Sequence, residues 1–205
     1  MDPRWLIHLR RIQAEAQTGL EYARDAYDLE RYARIRDTAV ALVADLGAIQ
    51  PGEVQAVFAN DAGYATPKID VRAAVVRAGR ILLVRERADG RWTLPGGWAD
   101  IDDAPSIAVT REVREEAGLE VRVRKLAALY DRRLHGHPPH RYHIYKVFFL
   151  CDAEAGDPVA GEETLEAAFF PADALPPLST GRVTAGQIAR MLEHWRDATL
   201  PTDFD

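Results

Sequence analysis

The stretch Gly96–Glu120, "GGWADIDDAPSIAVTREVREEAGLE", decides how the chain is read. It sets Glu112, Glu115 and Glu116 at positions i, i+3 and i+4, with Arg111 and Arg114 among them and glycines on either side. On a helix these positions share a face, with Cβ atoms about 5–6 Å apart. Three like charges so close destabilise a helix unless something neutralises them, and a divalent cation does this best. Hard carboxylate oxygens suit Mg²⁺ or Mn²⁺. Arg111, four residues before Glu115, can orient a carboxylate through a bidentate contact. The plainer reading is a solvated acidic face laced with Arg–Glu pairs. The flanks weigh against it. "LPGG" gives the backbone freedom for a close approach. Asp103 can cap the helix with Pro105 in its first turn, Gly118 can end it, and Leu119 can pack behind it.

Around this stretch the chain divides. The first sixty or so residues have helical periodicity, with Trp5, Leu6, Leu9, Ile12 and Ala16 at three- and four-residue steps. Gly19 is expected to interrupt. A second run carries Leu29, Tyr32, Ala33, Ile35, Ala39, Val40, Val43 and Leu46, capped by Asp28 and ended by Gly47. "PGEVQAVFAN" reads as a short third piece and Asp61–Lys68 as a linker. The expected division is a helical module over 1–64 and a second domain over 68–205. The second domain begins with two β-rich runs around Ala78-Gly79-Arg80, a hairpin. "ALYDRR", "HIYKVFFLCDA" and "EAAFF" read as strands and "GRVTAGQIARMLEHWRDA" as a last helix. The order β, β, helix, β, β, β, helix predicts an α/β fold, a mixed sheet flanked by helices.

Bulk properties exclude several classes. The 205 residues are 47% hydrophobic and 28% charged, which suits a globular chain with a sizeable core. The net charge of -6 disfavours a broad basic nucleic-acid surface. The single cysteine, Cys151, sits in an apolar run and reads as a buried small hydrophobe. The charged N-terminal stretch is not expected to be a signal peptide, and no apolar run is long enough to be expected to span a membrane, so the expected location is the cytoplasm.

The Gly96–Glu120 stretch resembles the Nudix box of the MutT-like hydrolases: a glycine, five residues, a glutamate, seven residues, then R-E-U-x-E-E-x-G-U with U apolar. Gly97 is the first glycine, and Arg111-Glu112-Val113-Arg114-Glu115-Glu116-Ala117-Gly118-Leu119 matches the core in full. Asp103 replaces the early glutamate, and Asp102 stands where many members have glycine. This departure implies a differently bent loop. The resemblance implies an α/β/α sandwich and a metal-dependent pyrophosphohydrolase. It implies Glu112, Glu115, Glu116 and the Gly97 carbonyl as metal ligands for Mg²⁺ or Mn²⁺, with Arg111 holding the glutamates. The resemblance also implies a water-activating base, expected to be Glu112 or Glu115 or, as in some relatives, a carboxylate of the loop before a late strand, here Glu162, Glu163 or Glu166 of "GEETLEAAFF", with Glu163 the loop candidate.

The N-terminal run, "GGWAD" and "HPPHRYHIYKVFFLC" resemble a Nudix subgroup described as CDP-choline or ADP-ribose pyrophosphatases, in which the helical module helps form a dimer. This implies a small nucleotide substrate and a homodimer. RNA ends are a less favoured substrate, because the module here is acidic. House-cleaning hydrolysis of nucleoside triphosphates and a silent nucleotide-sensing module are the alternatives. Trp98, Tyr130 and Tyr145 can stack on a base. Arg132 or Arg133 can bind phosphate, strand alternation putting only one of them on the pocket face. The histidines of the loop His135, His137, His140 and His143, His140 among them, with Arg141, can meet the second phosphate or head group. For these residues a core or surface role is the alternative.

Overall fold

The computed structural model describes residues 3–47, 63–154 and 156–205. They form two compact units. One holds Lys68–Pro138 and Ile144–Asp205; the other holds the described residues up to Pro67 together with Pro139–His143.

In the helical unit, α1 (Arg4–Tyr22) packs on α2 (Ala26–Gly47). Leu6, Leu9, Ala39, Val40, Val43 and Ala44 form its buried core. Two expectations are corrected. Gly19 does not interrupt α1, which runs through it; the ring of Tyr32 lies where a Cβ would be, 2.6 Å away, so the glycine admits a close helix contact. Asp25, not Asp28, caps α2, its carboxylate accepting from the backbone N–H groups of Tyr27 at 2.9 Å and Asp28 at 3.3 Å. The "PGEVQAVFAN" piece lies outside the described residues, and residues 63–67 contain no helix or strand.

In the other unit the chain runs β1 (Lys68–Arg77), β2 (Arg80–Glu86), β3 (Trp92–Thr93), α3 (Pro105–Ala117), β4 (Val121–Asp131), a 3-10 turn (Arg132–Leu134), β5 (Ile144–Ala153), β6 (Thr164–Pro171), α4 (Ala185–Arg196) and β7 (Asp203–Phe204). The hairpin is as expected. Arg77 pairs with Arg80, and Ala78 and Gly79 both have positive φ, the geometry of a two-residue turn that suits strand twist. The sheet has the order β3-β2-β1-β5-β4-β7, with β6 on β2. It is mixed: β1 runs parallel to β5, while β4 and β2 are antiparallel to β5 and β6. The short strands β3 and β7 were not legible in the sequence.

Alternation along β1 and β5 sends side chains to two buried layers. Val71, Ala73, Val75, Val147 and Phe149 pack against Ala108, Val109, Val113 and Ala117 of α3. Ala74, Val76, Phe148 and Leu150 pack on the other face against Ile188, Met191 and Leu192 of α4. Cover on both faces explains the near-continuous apolar runs "AAVV" and "VFFLC". The expected sandwich of helices about a mixed sheet is therefore present. Cys151 is buried, and burial pushes its thiol up to about 12. Among the described residues no helix is long and apolar enough to cross a membrane.

Candidate active site

The outer edge of β1 carries no full strand along its first half. The segment Pro95–Ala99 runs beside it instead. Val71 donates to the Gly97 carbonyl at 2.8 Å, Ala73 donates to the Pro95 carbonyl at 2.9 Å, and Ala99 donates to the Ile69 carbonyl at 3.0 Å. Gly96 is pressed so closely that a Cβ would stand 2.0 Å from the Val71 carbonyl oxygen, at φ 140°. Only glycine fits there.

This edge segment meets α3. Pro105 opens the helix, and Gly118 closes it at φ 63° with its N–H on the Arg114 carbonyl. Glu116 is 6% exposed and accepts a 2.8 Å hydrogen bond from the Gly96 N–H. Glu112 stands beside Gly97, its Oε2 3.0 Å from where a Cβ would be. Glu115, with 57% of its side chain exposed, lies on the open flank. Burial pushes the Glu116 carboxyl up to about 8, against the pull of Arg72 and the Gly96 N–H. Burial also raises Glu112, against Arg72 and Arg111.

The loop before β6 is tied to the same helix end. Thr164 Oγ1 donates to the Glu116 carbonyl at 2.9 Å and accepts from Gly161 N–H at 2.8 Å. A Cβ on Gly161 would stand 1.7 Å from the Glu115 carbonyl oxygen. The loop is thus seated on α3, and the Glu163 charge bears on both Glu112 and Glu86. Glu162 is exposed, and Glu166 pairs with Arg85 at 2.7 Å on the sheet edge.

Several sequence expectations are corrected. Asp103 does not cap α3; Ala104 occupies the N-cap with no side-chain bond, and the Asp103 carboxylate is bonded to Arg111. Arg111 also meets Asp100 at 2.9 Å, while its approaches to Glu112 and Glu115 are 4.0 Å each. It fastens the Asp100–Asp103 loop to the helix more directly than it holds the glutamates. Asp102 adopts φ 70°, the conformation glycine takes without strain, so the loop turns as a glycine would turn it. Arg132 is not on a strand. It is buried in the 3-10 turn and donates to the Pro138 carbonyl at 2.7 Å and the Gly181 carbonyl at 3.2 Å. Tyr130 is also buried; its hydroxyl donates to Asp203 at 2.9 Å and its ring stacks on His135. His140 belongs to the helical unit, where its carbonyl accepts from Arg10 at 2.6 Å. Trp98 and Tyr145 keep 46% and 37% of their surfaces exposed.

Two site residues escaped the sequence. Arg72 is buried on β1 and its charge bears on Glu112, Glu116 and Glu86. Glu86 is buried at the end of β2, where Arg182 meets it at 3.0 Å. Among the described residues no three His, Cys, Asp or Glu side chains already converge on one point. The donor set nevertheless suits a hard cation: carboxylates on one helix beside the backbone carbonyl of Gly97, in a pocket whose burial disfavours uncompensated negative charge.

Comparison with known proteins accounts for this arrangement. The family description "NUDIX domain" matches residues 66–192, and "UDP-X-like, N-terminal oligomerisation domain" matches residues 3–58. A Bacillus subtilis protein provisionally named an ADP-ribose pyrophosphatase is 41% identical over 205 residues, covering 100% of this chain and 99% of its own. A crystal structure of an ADP-ribose pyrophosphatase from Streptococcus suis is 44% identical over 68% of this chain and 100% of its own, with a TM-score of 0.63. A crystal structure of a UDP-X diphosphatase is 30% identical over 98% of both chains, also at 0.63. The glutamates of α3, the glycine edge on β1 and these matches belong together: the chain is a member of the Nudix hydrolase family, with the N-terminal module of its UDP-X-like branch.

Proposed function

We propose that this hydrolase cleaves the phosphoanhydride bond of a nucleoside diphosphate linked to a second group, with ADP-ribose as the leading substrate. The observation that carries the reading is the meeting of Glu112 and Glu116 with the Gly96–Gly97 edge of β1. Glu112, Glu115, Glu116 and the Gly97 carbonyl would hold Mg²⁺ or Mn²⁺. Such a cation, when bound, neutralises the diphosphate and lowers the pKa of an attacking water. Glu112, and Glu163 on the loop seated against α3, are the carboxylates we assign as candidate bases for that water; the Glu163 charge bears on Glu112. Burial raises the Glu112 carboxyl above its ordinary value, the direction that suits a general base. Trp98 and Tyr145, both partly exposed, are the aromatic side chains we assign to stacking on a base. The likeness to ADP-ribose pyrophosphatases supports the substrate. A second reading, a UDP-linked substrate, is favoured by the N-terminal module and by a match over nearly the whole chain. CDP-choline serves as a comparison substrate.

The test is a product assay with Mg²⁺ or Mn²⁺ on ADP-ribose, a UDP-sugar, CDP-choline and nucleoside triphosphates, with Glu115→Gln as the blank. AMP and ribose 5-phosphate from ADP-ribose support the leading reading. UMP and a sugar phosphate support the second. Turnover of triphosphates alone overturns both.

The helical unit supports oligomers by its family match. We infer a homodimer seated on a groove of about 290 Å³ lined by Leu9, Ile12, Ile35, Ala39 and Leu42. Ile12, Ile35 and Leu42 are each exposed on this face, although they continue the apolar periodicity of their helices. Ile35→Glu is expected to shift the mass in light scattering from dimer to monomer; a wild-type monomer at micromolar concentration would overturn the inference.

A further inference from the structure

Arg72 is the hub of a buried charge network beneath the candidate site. Its Nε and Nη2 donate to Asp70 Oδ1 and Oδ2 at 2.8 and 2.9 Å, and its Nη1 donates to the Leu94 carbonyl at 3.1 Å. Lys146 of β5 donates to the same Asp70 carboxylate at 2.7 Å. Asp70, Arg72 and Lys146 are all buried. The three lie on the α4-facing side of neighbouring parallel strands, where Asp70 pairs in register with Lys146 and Arg72 with Phe148.

The contact to Leu94 is the informative one. Leu94 leads directly into Pro95, Gly96 and Gly97. Arg72 holds the Leu94 carbonyl, Ala73 N–H holds the Pro95 carbonyl, and Val71 N–H holds the Gly97 carbonyl. Three consecutive residues of β1 therefore fix the segment that offers Gly96 N–H to Glu116 and flanks Glu112. Two of those contacts are backbone ladder bonds that any residue would make. The third needs a side chain that turns back to a carbonyl while its other donors remain on Asp70. A guanidinium fork does this; an ammonium is a single point.

We propose that Arg72, pinned by Asp70 and Lys146, is a positioning residue that sets the Leu94–Gly97 edge against α3 so that Gly97 and the helix carboxylates can grip one divalent cation. This rests on the metal-dependent reading above. Arg72 touches neither substrate nor reacting atoms in this role. Its charge also bears on Glu86, Glu112 and Glu116 and opposes their negative charge.

The experiment is a Mn²⁺ titration without substrate, following free Mn²⁺ by electron paramagnetic resonance, on wild type, Glu115→Gln and Arg72→Lys. Circular dichroism and Tm establish that each is folded. Arg72→Lys keeps the charge and loses the fork, so its Mn²⁺ Kd is expected to rise at least tenfold. At saturating Mn²⁺ its kcat is expected to fall tenfold or more, with substrate KM within threefold. A residue serving the fold alone would lower Tm and leave the Mn²⁺ Kd of the folded fraction unchanged. Asp70→Asn, which keeps the shape and loosens the pin, serves if Arg72→Lys does not fold, with the same direction and a smaller size. If wild type binds Mn²⁺, Glu115→Gln binds it more weakly and the folded Arg72 or Asp70 variant binds it as wild type does, the inference is overturned while the functional reading stands. If wild type holds no Mn²⁺, both fall.

Discussion

The Glu116 carboxylate accepts a 2.8 Å hydrogen bond from the backbone N–H of Gly96, twenty residues earlier in the chain. Through this bond the helix that carries the acidic residues is tied to the edge of the sheet. Gly96→Ala would drive a Cβ into the Val71 carbonyl, so the edge must leave β1. We expect kcat/KM to fall at least a hundredfold, with Tm lowered. Gly97→Ala is different, because the atoms its Cβ meets first are the movable end of Glu112. That variant is expected to keep its Tm within about 2 °C, less than the shift that a 1 kcal/mol loss produces, while losing about tenfold in kcat, or about 1.4 kcal/mol of barrier. Equal Tm losses in both would contradict this ordering.

Glu116 also predicts a pH dependence in the metal-free protein. Its folded value of about 8 lies above the ordinary 4.5. Between those values the folded protein keeps a proton that the unfolded chain has released. The stability from that proton is fully present below the unfolded value and is lost as pH rises through the folded one. In EDTA, Tm of wild type should fall relative to Glu116→Gln as pH is raised from 4.5 to 8. Parallel Tm profiles would remove the assignment.

The Nudix stretch was legible because its chemistry is local. Glutamates at fixed steps, Pro105 at the helix start and Gly118 at its end are all read within one helix. The partners of those residues were not legible, because they come from elsewhere. A lone arginine in "IDVRAAVV" gives no sign of being buried. The one available signal was Asp70 two residues before it, on the same face of the strand. Asp103 looked like a cap because the cap is its local option; Arg111, eight residues on, competes successfully for its carboxylate. The histidine loop read as one segment is divided between two units, with His135 and His137 in one and His140 and His143 in the other.

Thr164 links the β6 loop to the site. Its hydroxyl bridges Gly161 N–H and the Glu116 carbonyl, and it is almost fully buried. Thr164→Val keeps the shape and leaves both partners without the bridge, a loss of about 1–3 kcal/mol in urea unfolding. Because the loop carries Glu163, activity should fall further than stability requires, measured well below Tm.

The chain's last strand is fastened by Asp203. Its carboxylate accepts from Tyr130 at 2.9 Å, from Arg190 at 2.7 Å and from the His194 ring at 3.1 Å. Hydrogen bonds from Arg190 hold this carboxyl well below the usual carboxylate range. Its contribution is present above an unfolded pKa of 3.8 and lost as pH falls through the lower folded value. Asp203→Ala is expected to cost about 1–3 kcal/mol at neutral pH, with the difference from wild type narrowing in strong acid. No change in urea midpoint would contradict it.

The central claim is hydrolysis at a phosphoanhydride bond by the glutamates of α3. Phosphorus NMR of ADP-ribose with Mg²⁺ tests it most directly, with Glu115→Gln alongside. The account predicts that the two diphosphate resonances give way to two phosphomonoester resonances with wild type and persist with the variant. Persistence of ADP-ribose, and of a UDP-sugar run in parallel, with both proteins, or release of inorganic phosphate as the first product, would contradict it.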